Sequence, residues 1–209
     1  VKIYISQRFS LEVLSIQSVY YRVKENANVE FVQVDLGGRE NYVSYIGDLV
    51  DNNSNVNVNS IYFGKNEQKL DFNYVATQRG RATNYDLAIK GALADRAQKT
   101  CKVTIDFKRG SSTSKGSEEE YVTLLSDDIK NVAVPILLCT EDDVEGIHAA
   151  SAGKIDENIL FYIMSRGFSE SEAKRLILES KFTETIDLIE NEEIRKRVYT
   201  TLSKKLSEV

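Results

Sequence analysis

The sequence is poor in the residues that usually carry catalysis or metal binding. Its 209 residues include one histidine, one methionine, two cysteines and no tryptophan. A lone histidine excludes two-histidine zinc motifs, and no Gly-x-x-x-x-Gly-Lys-Ser/Thr loop is present to bind ATP. Cys101 and Cys139 are too far apart to match zinc or iron–sulfur ligation motifs. Because each lies in a strand-like run, we predict two buried structural thiols.

Long apolar runs and a basic stripe are also missing. No apolar run approaches the roughly 18 residues that a transmembrane helix needs, and no charged-then-apolar leader suggests export. The net charge is −5 with acidic and basic residues interleaved, which disfavours nucleic-acid binding. Sparse cysteine suits a reducing compartment, so we expect a cytoplasmic protein. The start at Val1, inside an apolar run, leads us to expect a fragment.

Residues 1–153 are patterned as β-strands. Short segments rich in Val, Ile, Tyr and Phe alternate with polar residues, and turn residues separate them. Pro135 is the only proline, so little in this region prevents regular ladders. The predicted strands are residues 29–35, 42–49, 56–63, 70–76, 85–92, 101–107, 121–125 and 132–139.

The spacing of these segments indicates how they stack. At intervals of 14 residues, and at the same place in their segments, lie Asn28, Tyr42, Val56, Leu70 and Asn84. A coil that lays down one strand per half-turn needs such a step, because every strand must lie above an earlier one. We therefore predict a parallel β-solenoid with two strands per turn. A β-sandwich with evenly spaced strands is the alternative.

In the last quarter the apolar period changes from two residues to about 3.6. One helix is predicted over residues 156–167, and a capping box of Ser169 and Glu172 begins a second. A short helix over residues 183–190 and another capped by Asn191 follow. This mainly β chain thus ends in a small α-helical domain, for which two roles are open: capping the open end of the solenoid, or binding another protein.

The junction between the two regions concentrates the ionisable residues. Residues 139–148 (Cys-Thr-Glu-Asp-Asp-Val-Glu-Gly-Ile-His) place the only imidazole, His148, near four carboxylates. Histidine titrates near neutrality and is a common transition-metal ligand. His148 is therefore a candidate metal ligand. The alternative is a solvated acidic turn whose histidine pairs with a neighbouring carboxylate.

The same junction carries a resemblance to a known family. Residues 144–156 (Val-Glu-Gly-Ile-His-Ala-Ala-Ser-Ala-Gly-Lys-Ile-Asp) are followed by Leu-Phe-Tyr at 160–162 and Ser-Arg-Gly at 165–167. This ordered pattern resembles the signature of the SufB/SufD family, subunits of the SufBCD iron–sulfur cluster assembly complex. The resemblance extends more weakly back to about residue 20, and family members are about twice as long as this chain.

The resemblance implies a fold and partners. Family members fold as a right-handed parallel β-helix with a C-terminal helical domain, which would divide this chain into an N-terminally truncated β-helix, residues 1–153, and a helical domain, residues 154–209. It implies pairing with a SufB-type subunit and recruitment of a SufC-type ABC ATPase. The helical domain would bind the ATPase, with docking candidates Phe161, Tyr162 and Arg166. A homodimer is a further partnership left open.

The resemblance also assigns a site, and departures from the pattern favour SufD over SufB. His148 matches the family histidine at the SufB–SufD interface, where a transient iron–sulfur cluster assembles, and no cofactor is expected on this chain alone. Residues 121–123 lack the cysteine of SufB-type chains, and Ala149 replaces the acidic residue after their histidine. Gly146 stands where SufD-like chains have a cysteine. Cluster ligation would therefore depend on His148, with Glu145 as a weaker interface candidate.

We therefore expect a non-catalytic, SufD-like scaffold subunit rather than an enzyme. The alternatives are a SufB-type paralogue, a polysaccharide-acting β-helix enzyme and a component of a membrane transporter. The enzyme would need a groove of clustered carboxylates or arginines, and the transporter would need a hydrophobic span. The sequence shows neither.

Overall fold

The computed structural model describes residues 1–207, which form eleven β-strands followed by three α-helices. The strands are β1 (Lys2–Gln7), β2 (Leu14–Val23), β3 (Asn28–Asp35), β4 (Glu40–Leu49), β5 (Asn55–Gly64), β6 (Lys69–Gln78), β7 (Asn84–Leu93), β8 (Gln98–Phe107), β9 (Ser114–Leu124), β10 (Lys130–Cys139) and β11 (Val144–Gly153). The helices are α1 (Glu157–Ser165), α2 (Glu170–Asp187) and α3 (Glu192–Leu206).

The strands coil into a parallel β-helix of about five turns, with two strands per turn. The odd-numbered strands form a six-stranded sheet in the order β1-β3-β5-β7-β9-β11, here called the odd sheet. The even-numbered strands form a five-stranded sheet, the even sheet, in the order β10-β8-β6-β4-β2. Every strand pair in both sheets is parallel. The predicted solenoid is confirmed, and the β-sandwich alternative is wrong.

The register shows that the 14-residue step is only an average. Asn28 pairs with Asn55 rather than with Val56, and Val56 pairs with Tyr85 rather than with Asn84. Paired residues of neighbouring strands are between 26 and 32 residues apart, and turns of different lengths absorb these differences. This adjustment matters because a slip of one residue would move each side chain to the opposite face of its strand.

The space between the two sheets is the main hydrophobic core. Alternate side chains of each strand point into it, and aromatic rings stack along the coil. The ring centroids of Phe31 and Tyr45 are 5.2 Å apart, and those of Tyr45 and Tyr74 are 5.4 Å apart. Offset and edge-on aromatic contacts at such distances add stability beyond the burial of apolar area.

A buried polar network lies near the N-terminal end of this core. Asp35 is enclosed, and its carboxylate accepts hydrogen bonds from Gln33 Nε2 at 3.0 Å and from Asn41 Nδ2 at 2.9 Å. The Tyr45 hydroxyl donates to Gln33 Oε1 at 2.7 Å. Burial raises the pKa of Asp35 to about 6, because loss of solvent outweighs the opposing effect of the hydrogen bonds from Asn41 and Gln33.

One corner of the coil is a stack of residues in the left-handed region. Asn26, Asn53, Ala82 and Thr113 have φ between 51° and 61°. Each donates its backbone N–H to a carbonyl of the next turn, as Asn53 does to Arg81 at 2.9 Å. Asparagine tolerates this region, whereas alanine and threonine are strained there.

The helices correct one sequence prediction and confirm others. Caps at Asp156, Ser169 and Asn191 are present, and the capping box of Ser169 is complete. The predicted break before a short helix over residues 183–190 is wrong, since α2 continues to Asp187. The Thr183 hydroxyl donates to the Glu179 carbonyl within the helix at 2.8 Å instead of capping a new one.

The helices pack along the flank of the odd sheet and do not cap its end. Outward-facing Val32, Ile61 and Phe63 share a second hydrophobic core with Leu178 and Phe182 of α2. Strand β10 and strand β11 each have a single neighbour in their sheets, so the last turn presents two free strand edges. Within residues 1–207, none of the helices is long and apolar enough to span a membrane.

Candidate functional site: a carboxylate–histidine pair in the last turn

His148 lies on a strand and not in a turn. Only the residues between β10 and β11 form the acidic turn, and β11 begins at Val144 and pairs in parallel with β9. This register places His148 directly beside Glu118. The histidine does pair with a carboxylate, but its partner comes from the preceding turn and not from the acidic segment.

The two side chains make a close and nearly enclosed contact. His148 Nδ1 and Glu118 Oε2 are 2.5 Å apart, and the side chains are 19% and 2% exposed. Burial raises the pKa of Glu118, and the hydrogen bond with His148 opposes that rise. The other ring nitrogen, Nε2, is buried without a hydrogen-bond partner. The imidazole is thus held at one nitrogen and left unused at the other.

A buried ion pair lies next to this contact. Lys99 Nζ of the even sheet and Glu120 Oε1 of the odd sheet are 2.5 Å apart, and their side chains are 0% and 2% exposed. Glu120 shares the inward face of β9 with Glu118, because residues two apart on a strand point to the same side. The four side chains include two carboxylates and one permanent cation, so Glu118 is the carboxylate of the cluster that has no lysine partner.

Glu145, the weaker interface candidate, is not brought together with His148. It lies on the outward face of β11 and forms an exposed ion pair with Lys115 at 2.8 Å. Gly146 shares the inward face with His148, and a Cβ atom there would lie 2.9 Å from the Leu137 side chain. A thiol at this position would therefore require Leu137 to move.

The two cysteines differ from each other. Cys101 is buried in the main core as predicted, and burial raises the pKa of its thiol. The prediction for Cys139 is wrong: it is exposed at the end of β10, with Sγ 2.9 Å from the Glu141 carbonyl oxygen. Residues 1–207 contain no group of three or more His, Cys, Asp or Glu side chains able to hold a metal ion. His148 is thus an isolated ligand candidate.

A second surface is presented by α1. This helix buries none of its residues, and Phe161 and Tyr162 are 73% and 58% exposed. The Arg166 guanidinium lies 5.1 Å from the centre of the Tyr162 ring, in a cation–π contact. The structure therefore brings Tyr162 and Arg166 together on one side of a helix that is exposed all round. The exposed side chains of this helix are here called the α1 surface (Ile159, Phe161, Tyr162, Met164 and Arg166).

Sequence reasoning missed Glu118, Glu120 and Lys99. The run Glu118-Glu119-Glu120 is typical of a solvated segment, yet its first and third members are buried and only the second is exposed. One signal could have found them: the run directly precedes the predicted strand at residues 121–125, so the inward and outward alternation of that strand can be extended back through it. Two carboxylates of the run then face inward.

These features define a β-solenoid protein whose mainly hydrophobic interior ends in a carboxylate–histidine pair and whose helical tail exposes apolar side chains. A family model described as SUF system FeS cluster assembly, SufBD core domain, matches residues 1–181. The chain belongs to this family, which takes part in iron–sulfur cluster assembly. The match covers every strand, α1 and most of α2.

Similar proteins carry the same description. The iron–sulfur cluster assembly protein SufD of Bacillus subtilis is 29% identical over 147 residues, covering 70% of this chain and 34% of the relative. An iron–sulfur cluster assembly SufBD family protein of Pyrococcus horikoshii is 30% identical over 165 residues, covering 76% and 35%. One from Methanothermobacter thermautotrophicus is 30% identical over 131 residues, covering 60% and 30%. The matched segments span about a third of the length of these curated relatives.

Proposed function

We propose that this chain is part of a SufD-like, non-catalytic scaffold subunit that works in the cytoplasm. Its solenoid pairs with a SufB-type subunit, and its helical region recruits a SufC-type ATPase. The observation that carries the proposal is the position of His148 in the last turn of a family solenoid with free strand edges. By the resemblance of the surrounding sequence, His148 corresponds to the family histidine.

The last turn supports pairing with a second solenoid. Strands β10 and β11 offer unpaired backbone groups along one edge each, and such edges are templates for another chain. Leu137, Leu138 and Ile147 expose apolar side chains there. A partner solenoid would satisfy the backbone groups and cover the apolar area together. A stable homodimer that excludes the SufB-type subunit would contradict this pairing.

The α1 surface supports docking of the ATPase. Aromatic and arginine side chains dominate the energetics of protein interfaces, and here both kinds are exposed, since α1 buries none of its residues. The double substitution Phe161→Ala and Tyr162→Ala should weaken ATPase binding at least tenfold. Isothermal titration against the purified ATPase measures this, with Tyr20→Ala, exposed on the solenoid, as the control. Unchanged affinity in the double variant would contradict docking at α1.

His148 supports a contribution to cluster assembly. A neutral imidazole is a ligand for iron, and the remaining ligands would come from the SufB-type partner. In a reconstituted complex, His148→Ala should leave ATPase binding intact and lower the amount of cluster assembled. Glu119→Ala, an exposed residue of the adjacent strand β9, serves as the control. A normal cluster yield with His148→Ala would remove the histidine from the proposed function.

A further inference from the structure

Glu118 occupies an unusual position for a glutamate. Its neighbour Glu119 is exposed, whereas Glu118 is enclosed in the solenoid and contacts His148 Nδ1. The next inward carboxylate, Glu120, is already neutralised by Lys99 at 2.5 Å. Burying a carboxylate is costly unless it is hydrogen-bonded or paired. The His148 contact is the hydrogen bond that compensates for the burial of Glu118.

From this geometry we infer that Glu118 is a positioning residue for His148: it fixes the ring through Nδ1–H and leaves Nε2 as the atom that binds metal. The inference rests on the proposed function, because it assigns a second residue to the same site. A carboxylate accepts only, so the nitrogen facing it must carry the proton. Histidine ligands in metal sites usually donate their other N–H to such an acceptor, which sets ring orientation and raises ligand basicity.

The second ring nitrogen, Nε2, is the atom of His148 that remains open to a ligand. A buried histidine with only a structural role generally has both ring nitrogens satisfied. Here Nε2 is enclosed and has no partner, although the ring itself is held firmly by Glu118.

The first test needs only the chain itself, since His148 is its only histidine. With ¹⁵N-labelled histidine, one imidazole gives a single long-range proton–nitrogen pattern that reports which nitrogen is protonated. At alkaline pH the unmodified chain should show Nδ1–H. Glu118→Ala should shift the ring towards the Nε2–H form of a free imidazole. Glu118→Gln, which keeps an acceptor oxygen, should restore Nδ1–H, and Glu119→Ala should change nothing.

The second test uses the reconstituted complex with SufB-type and SufC-type partners. Removing a partner of a metal-bound histidine typically costs about tenfold or more in metal affinity, so Glu118→Ala should lower cluster content about tenfold. Glu118→Gln should recover part of it, and adding Glu118→Ala to His148→Ala should cause no further loss. Circular dichroism and the unfolding midpoint identify variants that fail to fold, in which case Glu118→Gln becomes the deciding variant.

The outcomes separate the two proposals. An Nε2–H ring in the unmodified chain, or a ring unaffected by Glu118→Ala, would overturn the positioning role whatever the cluster content. A loss of cluster with His148→Ala but not with Glu118→Ala would overturn it as well and leave the proposed function intact. Normal cluster content in both variants, with the ring protonated at Nδ1, would remove His148 from the proposed function and would overturn the assignment of Nε2 as the metal-binding atom.

Discussion

Replacing Asp35 by asparagine should make the chain more stable at neutral and alkaline pH. The enclosed carboxylate has its pKa raised to about 6, chiefly by burial. A raised carboxyl pKa means that the folded state binds the proton more tightly than the unfolded state does. The contribution of Asp35 to stability is therefore greatest below pH 4 and is lost as the pH rises through 6. Asparagine has the same shape and no charge, so it avoids this loss.

The size of the effect follows from the two pKa values. The pKa of Asp35 rises from an ordinary value of 3.8 to about 6, and each unit is worth about 1.4 kcal/mol. The full pH-dependent contribution is about 3 kcal/mol. A typical domain has a free energy of unfolding of about 5–15 kcal/mol, so this contribution is a large share of the total. The donors Gln33 and Asn41 remain able to bond the asparagine oxygen.

Chemical denaturation of both chains across the range from about pH 4 to pH 8 measures the effect. The difference between variant and unmodified chain cancels the other titrating groups, because they are common to both. We expect this difference to change by about 2–3 kcal/mol in favour of Asp35→Asn as the pH rises. A difference that stays constant across the range would show that the carboxylate is not buried as described.

Three further predictions concern the packing of the coil. Lys99→Met leaves Glu120 buried without its cation and should lower the free energy of unfolding by about 3–5 kcal/mol. Adding Glu120→Leu removes the unpaired charge and should restore most of this loss in denaturation experiments. Thr113→Asn relieves a left-handed β-branched residue and should raise the free energy of unfolding by about 1 kcal/mol; an unchanged midpoint would argue against strain there. Gly91→Ala drives a methyl group into the Tyr62 ring and should cost about 1–3 kcal/mol. Gly153→Ala, which meets nothing within 4 Å, is the control and should change the unfolding midpoint little.

Much of the solenoid could be predicted from the sequence because each strand repeats the same physical demand. Alternation of apolar and polar residues marks the inward and outward faces, and the roughly even spacing marks the turns. The pattern did not predict β11, because its Gly, Ala and Ser residues have little intrinsic preference for a strand. Its conformation is imposed by pairing with β9, which no local pattern reveals.

Of the two residues of the candidate site, the sequence predicts His148 but not its partner Glu118. The scarcity of histidine directs attention to His148, but the identity of its partner depends on register. Glu118 lies a full turn earlier in the chain, and turns that vary by one residue decide whether Glu118 or Glu119 faces the ring. The same reasoning explains the error at Cys139: its strand-like sequence was correct, but in the last turn no further strand covers it.

The placement of α2 along the flank has a consequence for how the coil comes apart. Solenoid turns contact only their neighbours, so such proteins can fray from an end while the remainder stays folded. α2 contacts β5 and β7 and shares a core with β3, and thereby joins the middle turns into one cooperative unit. β10 and β11 lie beyond that shared core. The last turn, which carries His148, is thus able to open at a lower free energy than the middle turns that α2 holds together.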